Sequence, residues 1–146
     1  MANVINAANG LTTSADATNV LNIQTGGVTA IAVGASQDST FTAGLKQTRV
    51  AVAASAIDLN LGNYFSKTIS GTTTFTVSNV PATGTAASFV LDLTNGGSAT
   101  INWWSGMKWA GGTAPTLTSS GRDVLGFFTH DGGTTWTGLV LGKDVK

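Results

Sequence analysis

The only histidine of the chain, His130, is its one candidate for a general base, and Asp131 follows it directly. A catalytic triad needs a nucleophile, such a base and an orienting carboxylate brought together. Neighbouring residues on a strand point to opposite faces, so His130 and Asp131 are badly placed to pair. We therefore expect a surface or structural histidine and no catalytic residue.

The other residues that could do chemistry are dispersed. Every acid is an aspartate, and the chain has no cysteine. One histidine and scattered aspartates do not make a metal site, and Asp58 and Asp92 occupy strand positions expected to face outward. The common glycine-rich phosphate-binding motifs and the serine nucleophile motif are absent from the sequence. The sequence predicts a non-enzymatic protein with no metal and no cofactor.

One short pattern is more specific. The run THDGGTTW resembles the Asp-box, whose pattern is Ser/Thr-x-Asp-x-Gly-x-Thr-Trp. The resemblance implies a hairpin turn in which the Asp caps turn amides, the Gly adopts a positive φ and the Trp packs beneath. It implies structure and not catalysis, and a sialidase is excluded for a chain of 146 residues. The motif positions are Thr129, Asp131, Gly133, Thr135 and Trp136.

The four tryptophans allow two interpretations. Indoles bury large areas, so Trp103, Trp104, Trp109 and Trp136 can be core and subunit-interface residues. Alternatively, some of them form an exposed aromatic platform for a sugar ring or another host surface group. Trp104 and Trp109 are the candidates for that platform, because Trp103 follows the buried phase of its strand and Trp136 belongs to the turn motif.

The elements that position these residues are strands. Ala87–Thr94 has the clearest alternation of apolar and polar residues. Residues 123–130 and 135–141 form the last predicted pair of strands, joined by the turn motif. Ile57, Leu59 and Leu61 alternate as on a half-buried strand, and a hairpin is predicted for residues 67–70 and 73–78. About eight such strands favour an all-β fold, a β-sandwich or jelly-roll-like domain. The predicted core is Ile57, Leu59, Leu61, Ile69, Phe75, Phe89, Leu91, Leu93, Ile101, Trp103, Phe127 or Phe128, and Leu139 or Leu141.

The N-terminal third is organised differently. Gly26-Gly27 joins two apolar, β-branched runs, residues 19–25 and 28–33, which predicts a hairpin with a two-residue turn. We interpret residues 1–18 as an extended arm, 19–46 as a β-hairpin neck and 47–146 as the β-domain. The first 46 residues lack enough apolar side chains for a core of their own. The neck therefore needs a partner, and the same hairpin from two sister chains would supply it.

Charge limits the classes of partner. Charged residues make up 10% of the chain and the formal net charge is zero, which promotes association. We interpret this as surface buried in an assembly; the alternative is a small neutral domain kept soluble by Thr, Ser and Asn. Seven scattered Lys and Arg argue against nucleic acid, and no apolar run could span a bilayer. The N-terminus has no secretory pattern, so we expect synthesis in a cytoplasm without signal-dependent export.

Two stretches point to a family. Residues 16–31, DATNVLNIQTGGVTAI, with ASQD at 35–38, resemble segments of tail fibres and related virion proteins of tailed bacteriophages. The C-terminal run GRDVLGFFTHDGGTTWTGLVLGKDVK is similar to the terminal β-domains of such proteins. The resemblance implies a parallel homotrimer with an N-terminal part attached to the particle and a C-terminal head facing outward. The chain departs from long fibres in having no extended shaft.

The expected function is therefore a short trimeric tail fibre. A capsid head fibre or decoration protein is the alternative, and a free carbohydrate-binding module is a remote one. Expected partners are two sister chains, other tail or capsid proteins bound through the arm, and a host cell-surface glycan or protein. The expected location is the virion, assembled in the host cytoplasm.

Overall fold

The computed structural model describes the backbone of residues 21–25, 28–33 and 39–41, and residues 44–146 in full. The chain divides into two units, residues 1–46 and 47–146. The predicted arm, residues 1–18, lies outside the described residues, as does the Gly26-Gly27 turn itself.

Three antiparallel strands make up the described part of the first unit, in the order β1-β2-β3. The pairing of Thr25 with Val28 leaves a two-residue connection between β1 and β2, and a register shift after Ile23 marks a bulge. The strand pairing predicted for this hairpin is confirmed, and β2 also pairs with a third, shorter strand. The strands are β1 (Leu21–Thr25), β2 (Val28–Val33) and β3 (Ser39–Phe41).

Ten strands build the second unit, and its largest sheet has six of them in the order β11-β13-β12-β9-β6-β4. Two ribbons, β5-β8 and β7-β10, complete it. The strands are β4 (Arg49–Ala51), β5 (Ala56–Asp58), β6 (Tyr64–Thr68), β7 (Thr73–Thr74), β8 (Thr76–Ser78), β9 (Ala87–Thr94), β10 (Ile101–Asn102), β11 (Met107–Trp109), β12 (Arg122–Thr129) and β13 (Trp136–Gly142).

The prediction of an all-β fold is confirmed. Within the described residues the helical pieces are two 3₁₀ turns, Gly96–Ser98 and Ala110–Gly112. The pairing is mixed, however. β4, β6 and β9 pair in parallel, as do β5 with β8 and β7 with β10. Strands from successive segments of the chain therefore lie side by side and run in the same direction. This differs from the antiparallel sheets of a sandwich or jelly roll.

The hairpin predicted for residues 67–70 and 73–78 is wrong. β6 already pairs with β4 on one side and β9 on the other, so both of its backbone edges are occupied. After the turn at Gly71 the chain instead supplies Thr73–Thr74 to β10 and Thr76–Ser78 to β5. A turn signal shows that the chain changes direction, but it does not decide which strand comes next in the sheet.

The core lies on one side of the six-stranded sheet, here called its inner face. On β9, Phe89, Leu91 and Leu93 are all buried, as the alternation predicted. Leu91 pairs with Leu125 of β12 on one side and with Phe65 of β6 on the other. Burial of each such side chain contributes about 1.5–3 kcal/mol. The buried apolar residues are Val52, Ile57, Phe65, Ile69, Phe75, Phe89, Leu91, Leu93, Leu125, Phe127 and Trp136.

Two members of the predicted core are wrong: Leu61, and the alternatives Leu139 or Leu141. Leu61 is exposed because β5 ends at Asp58, whose carbonyl accepts the Leu61 N–H at 3.0 Å in a turn. Leu139 and Leu141 are both exposed as well, because they lie on the face of the sheet opposite the core: Leu139 pairs with Gly126, and the Leu141 side chain lies against the same glycine. Of the two phenylalanines offered as alternatives, Phe127 is buried and Phe128 is exposed.

The expectation that Asp92 faces solvent is also wrong. Asp92 does lie on the opposite, outer face of the sheet, but it is only 7% exposed. The Arg122 guanidinium donates to its Oδ2 at 3.3 Å, and the Tyr64 hydroxyl makes a long contact of 3.5 Å with the same oxygen. A charged partner on the neighbouring strand β12 thus allows a carboxylate to be buried there.

Asp123 is a second buried carboxylate, and it ties β12 to two loops. It accepts hydrogen bonds from the Thr118 N–H at 2.6 Å, the Thr118 hydroxyl at 2.7 Å and the Asp144 N–H at 2.9 Å. Burial raises the pKa of this carboxyl, but the three hydrogen bonds together outweigh burial and leave its pKa below the usual value.

This arrangement predicts that stability falls in acid. The pKa of Asp123 is lower in the folded state than in the unfolded state. Its contribution to the free energy of unfolding is therefore present above the unfolded-state pKa and is lost as the pH falls through the folded-state pKa. Replacing Asp123 by Asn should lower the free energy of unfolding at pH 7 by about 1–3 kcal/mol, since the NH2 group that takes the place of one carboxylate oxygen cannot accept a hydrogen bond and leaves a buried donor without its acceptor. It should also flatten the loss of stability below about pH 5.

Urea unfolding at a series of pH values measures both effects. Equal stability of the native and Asp123→Asn chains at pH 7, or equal slopes in acid, would contradict the role given to this carboxylate.

Candidate functional site

The turn between β12 and β13 is closed by its own polar side chains. Asp131 Oδ1 accepts the Thr135 N–H at 2.8 Å and the Thr129 hydroxyl at 2.9 Å. The Thr129 Oγ1 in turn accepts the Gly133 N–H at 3.0 Å. The bond from the Thr135 N–H is the main reason why the pKa of Asp131 is lowered. The carboxylate is thereby used as a cap for turn amides.

The same turn packs tightly on a neighbouring loop. Gly133 has a φ of +83°, and a Cβ built on it would meet the Val80 side chain at 2.8 Å. Trp136, which follows the turn, is buried in the core. His130 is exposed at the start of the turn, beside the Asp131 carboxylate. The turn therefore positions β12 against β13.

Three partly buried indoles, Trp103, Trp104 and Trp109, pack against the core that contains the fully buried Trp136. Trp104 lies 5.0 Å from Phe127 and 5.9 Å from Phe89 between ring centroids. Trp109 lies 5.7 Å from Phe127, and a Cβ added to Gly138 would come within 2.5 Å of its ring. Both indoles thus have one face against the core.

Trp103 lies between the two candidate platform residues. Its ring is 5.8 Å from Trp104 and 5.3 Å from Trp109, at interplanar angles of 80° and 63°. The rings therefore meet edge to face and do not form one flat surface. The Nε1 atom of Trp104 is buried and has no hydrogen-bond partner among the described residues. These contacts support packing, and a ligand platform at Trp104 and Trp109 stays a prediction.

An apolar edge is the feature that strand patterns missed. β11 covers β13 only from Trp136 to Gly138, so among the described residues no strand pairs with the outer edge of the next three, which we call the open edge. Leu139, Val140 and Leu141 are exposed there, and Phe128 is exposed on the adjacent strand. Three consecutive exposed apolar residues are unusual in a monomer unless they serve a function, and an uncovered edge strand can pair with another chain. In the sequence, the three consecutive apolar residues Leu-Val-Leu were the feature that could have predicted this exposed edge.

No family model matches the chain, and no curated protein and no solved structure is significantly similar to it. Over the described ranges, no three His or Asp side chains come together as metal ligands would. The part of the chain that the structure describes also contains no helix long and apolar enough to cross a membrane.

The turn geometry predicts a specific sensitivity at Gly133. Replacing it by Ala should lower the free energy of unfolding by about 1–3 kcal/mol, because the residue has a positive φ and the added methyl meets Val80. Gly71→Ala is the matched control, since its Cβ would have no neighbour within 4 Å. Urea midpoints measure the difference, and equal midpoints for the two variants would contradict the account.

Proposed function

We propose that this chain is a non-enzymatic structural protein of the virion of a tailed bacteriophage, assembled as a parallel homotrimer and acting as a short tail fibre. Residues 1–18 attach it to other virion proteins, and residues 19–46 form the trimeric neck. Residues 47–146 face outward, where they can meet a host cell-surface glycan or protein. The trimer is assembled in the host cytoplasm.

The observation that supports assembly most directly is the open edge of β13. Leu139, Val140 and Leu141 are 43%, 43% and 57% exposed. A second chain that covers this edge would remove apolar surface from water and satisfy main-chain groups at the same time. Both gains favour association over a free monomer.

The charge of the chain supports the same proposal. With 10% charged residues and no net charge, neighbouring molecules do not repel one another over a distance. A chain of this kind is expected to be most stable when copies share the exposed apolar edge. The virion location itself depends on the resemblance of residues 16–31 and 35–38, and of the C-terminal run, to tail-fibre proteins.

The proposal predicts the mass of the protein in solution. Light scattering of the full chain should give three times 14.7 kDa, about 44 kDa. Val140→Lys places a charge on the open edge and should raise the concentration at which half of the protein is dissociated by about tenfold or more. Leu61→Lys is the matched control, because Leu61 is exposed in a turn away from any strand edge.

A native mass near 14.7 kDa would overturn the trimer. Equal dissociation of the two lysine variants would overturn the role of the β13 edge.

Labelled protein imaged on intact phage particles tests the position on the virion. The proposed short fibre predicts a few labels at the tail. Labels spread over the capsid would replace it by a head fibre or decoration protein, and absence from the particle would overturn the virion assignment.

A further inference from the structure

A polar groove lies on the outer face of the six-stranded sheet, near its β4 end. Its volume is about 450 Å³, within the usual range of ligand sites. Arg49, Lys67 and Arg122 line it together with Asp92. The groove thus takes three of the seven Lys and Arg residues of the chain. Three cations and one carboxylate leave it with a formal charge of +2.

The strand register places the key side chains on one face. Arg49 pairs with Tyr64, and Tyr64 pairs with Val90. Asp92 follows Val90 by two residues and therefore faces the same way. Arg122 pairs with Thr94, another two residues along β9. Both arginines and the carboxylate thus belong to the outer face and not to the core.

Asp92 is more deeply placed than the cations. It lines the groove while only 7% exposed, and its Oδ2 is held by Arg122 at 3.3 Å. Its Oδ1 is buried and has no hydrogen-bond partner among the described residues. An unpaired carboxylate oxygen is costly. Because this oxygen is buried, a ligand in the groove meets the cations and not the Oδ1 atom of Asp92.

The walls of the groove add hydroxyl groups and a fixed loop. Thr68 and Thr94 line it. The Lys67 ammonium donates to the carbonyls of Val52 and Ala53 at 3.1 and 3.4 Å, and also to that of Ala54. Lys67 therefore holds the loop that forms one wall, and the exposed guanidinium groups remain for a ligand.

The separation of the arginines favours an elongated ligand. Arg49 and Arg122 lie three strands apart and four residues apart along the strands, which corresponds to roughly 19 Å between their Cα atoms on a flat sheet. A chain with several anionic groups fits this distance better than a single phosphate or carboxylate. Arginine pairs well with carboxylates and sulfates.

We propose that this groove is a binding site for an acidic oligosaccharide. Such a ligand carries both anions for Arg49 and Arg122 and hydroxyl groups that can pair with the threonines of the wall, Thr68 and Thr94. Single-stranded nucleic acid fits less well, because none of the described residues that line the groove has an aromatic side chain on which bases could stack. The site is distinct from the indoles at Trp104 and Trp109, and it does not depend on the proposed virion role.

Titration of the isotope-labelled full chain by NMR tests the proposal. The probes are tetragalacturonate and a heparin-derived tetrasaccharide, with neutral maltotetraose as the matched sugar. At least one acidic probe should bind, shift the amide signals of Thr68 and Thr94, and bind more weakly as salt is added. Maltotetraose should bind at least about tenfold more weakly.

Two variants test whether binding of the acidic probe depends on the groove or on any positive charge of the sheet. Arg49 is exposed, so Arg49→Gln should leave the fold intact and weaken binding of the acidic probe by about tenfold. Lys108→Gln is the control, because Lys108 is an exposed cation on β11, at the far edge of the same sheet; it should leave binding unchanged.

Several results would overturn the assignment. They are no binding of either acidic probe, equal binding of maltotetraose, or equal weakening by the two variants. Tighter binding of an oligo-aspartate peptide or a single-stranded DNA of the same charge would replace the saccharide by another class of polyanion.

Discussion

The packing of Phe89 is the interaction on which the β-domain depends. Its ring lies 5.0 Å from Phe127, 5.5 Å from Trp136, 5.6 Å from Phe65 and 5.9 Å from Trp104. These contacts join side chains from β6, β12, β13 and the segment after β10. β9, which carries Phe89, pairs in parallel with β6 on one side and antiparallel with β12 on the other. The Phe89 ring therefore packs where these two kinds of pairing meet.

This one-sided core determines what is left on the surface. Because the aromatic side chains fill the inner face, the outer face carries Asp92 and the arginines, and the end of β13 carries Leu139 to Leu141. The first is a polar groove and the second an apolar edge, so they favour different partners. We assign the groove to a ligand and the edge to another copy of the chain, and on these two proposals the chain would have two separate means of attachment.

Local patterns in the sequence predicted part of the fold. The alternation of β9, the pairing of β12 with β13 and the spacing of the turn residues all depend on near neighbours in the chain. The parallel pairing of β6 with β9 could not be predicted, because it joins residues 26 positions apart, with β7, β8 and their turns between them. The prediction that Leu61 is buried was wrong because a turn, and not a strand, follows Asp58. Arg49, Asp92 and Arg122 come from three distant strands, and only the folded sheet brings them into one groove.

Amide hydrogen exchange at the β13 edge tests the central claim, that copies of this chain meet there. The measurement is the exchange rate, in the full-length protein, of the amides among Leu139–Leu141 that face away from β12. If another chain covers this edge, these amides should exchange about as slowly as the interior of β12. Exchange as fast as that of the exposed residues 82–86 would show an open edge and contradict the account.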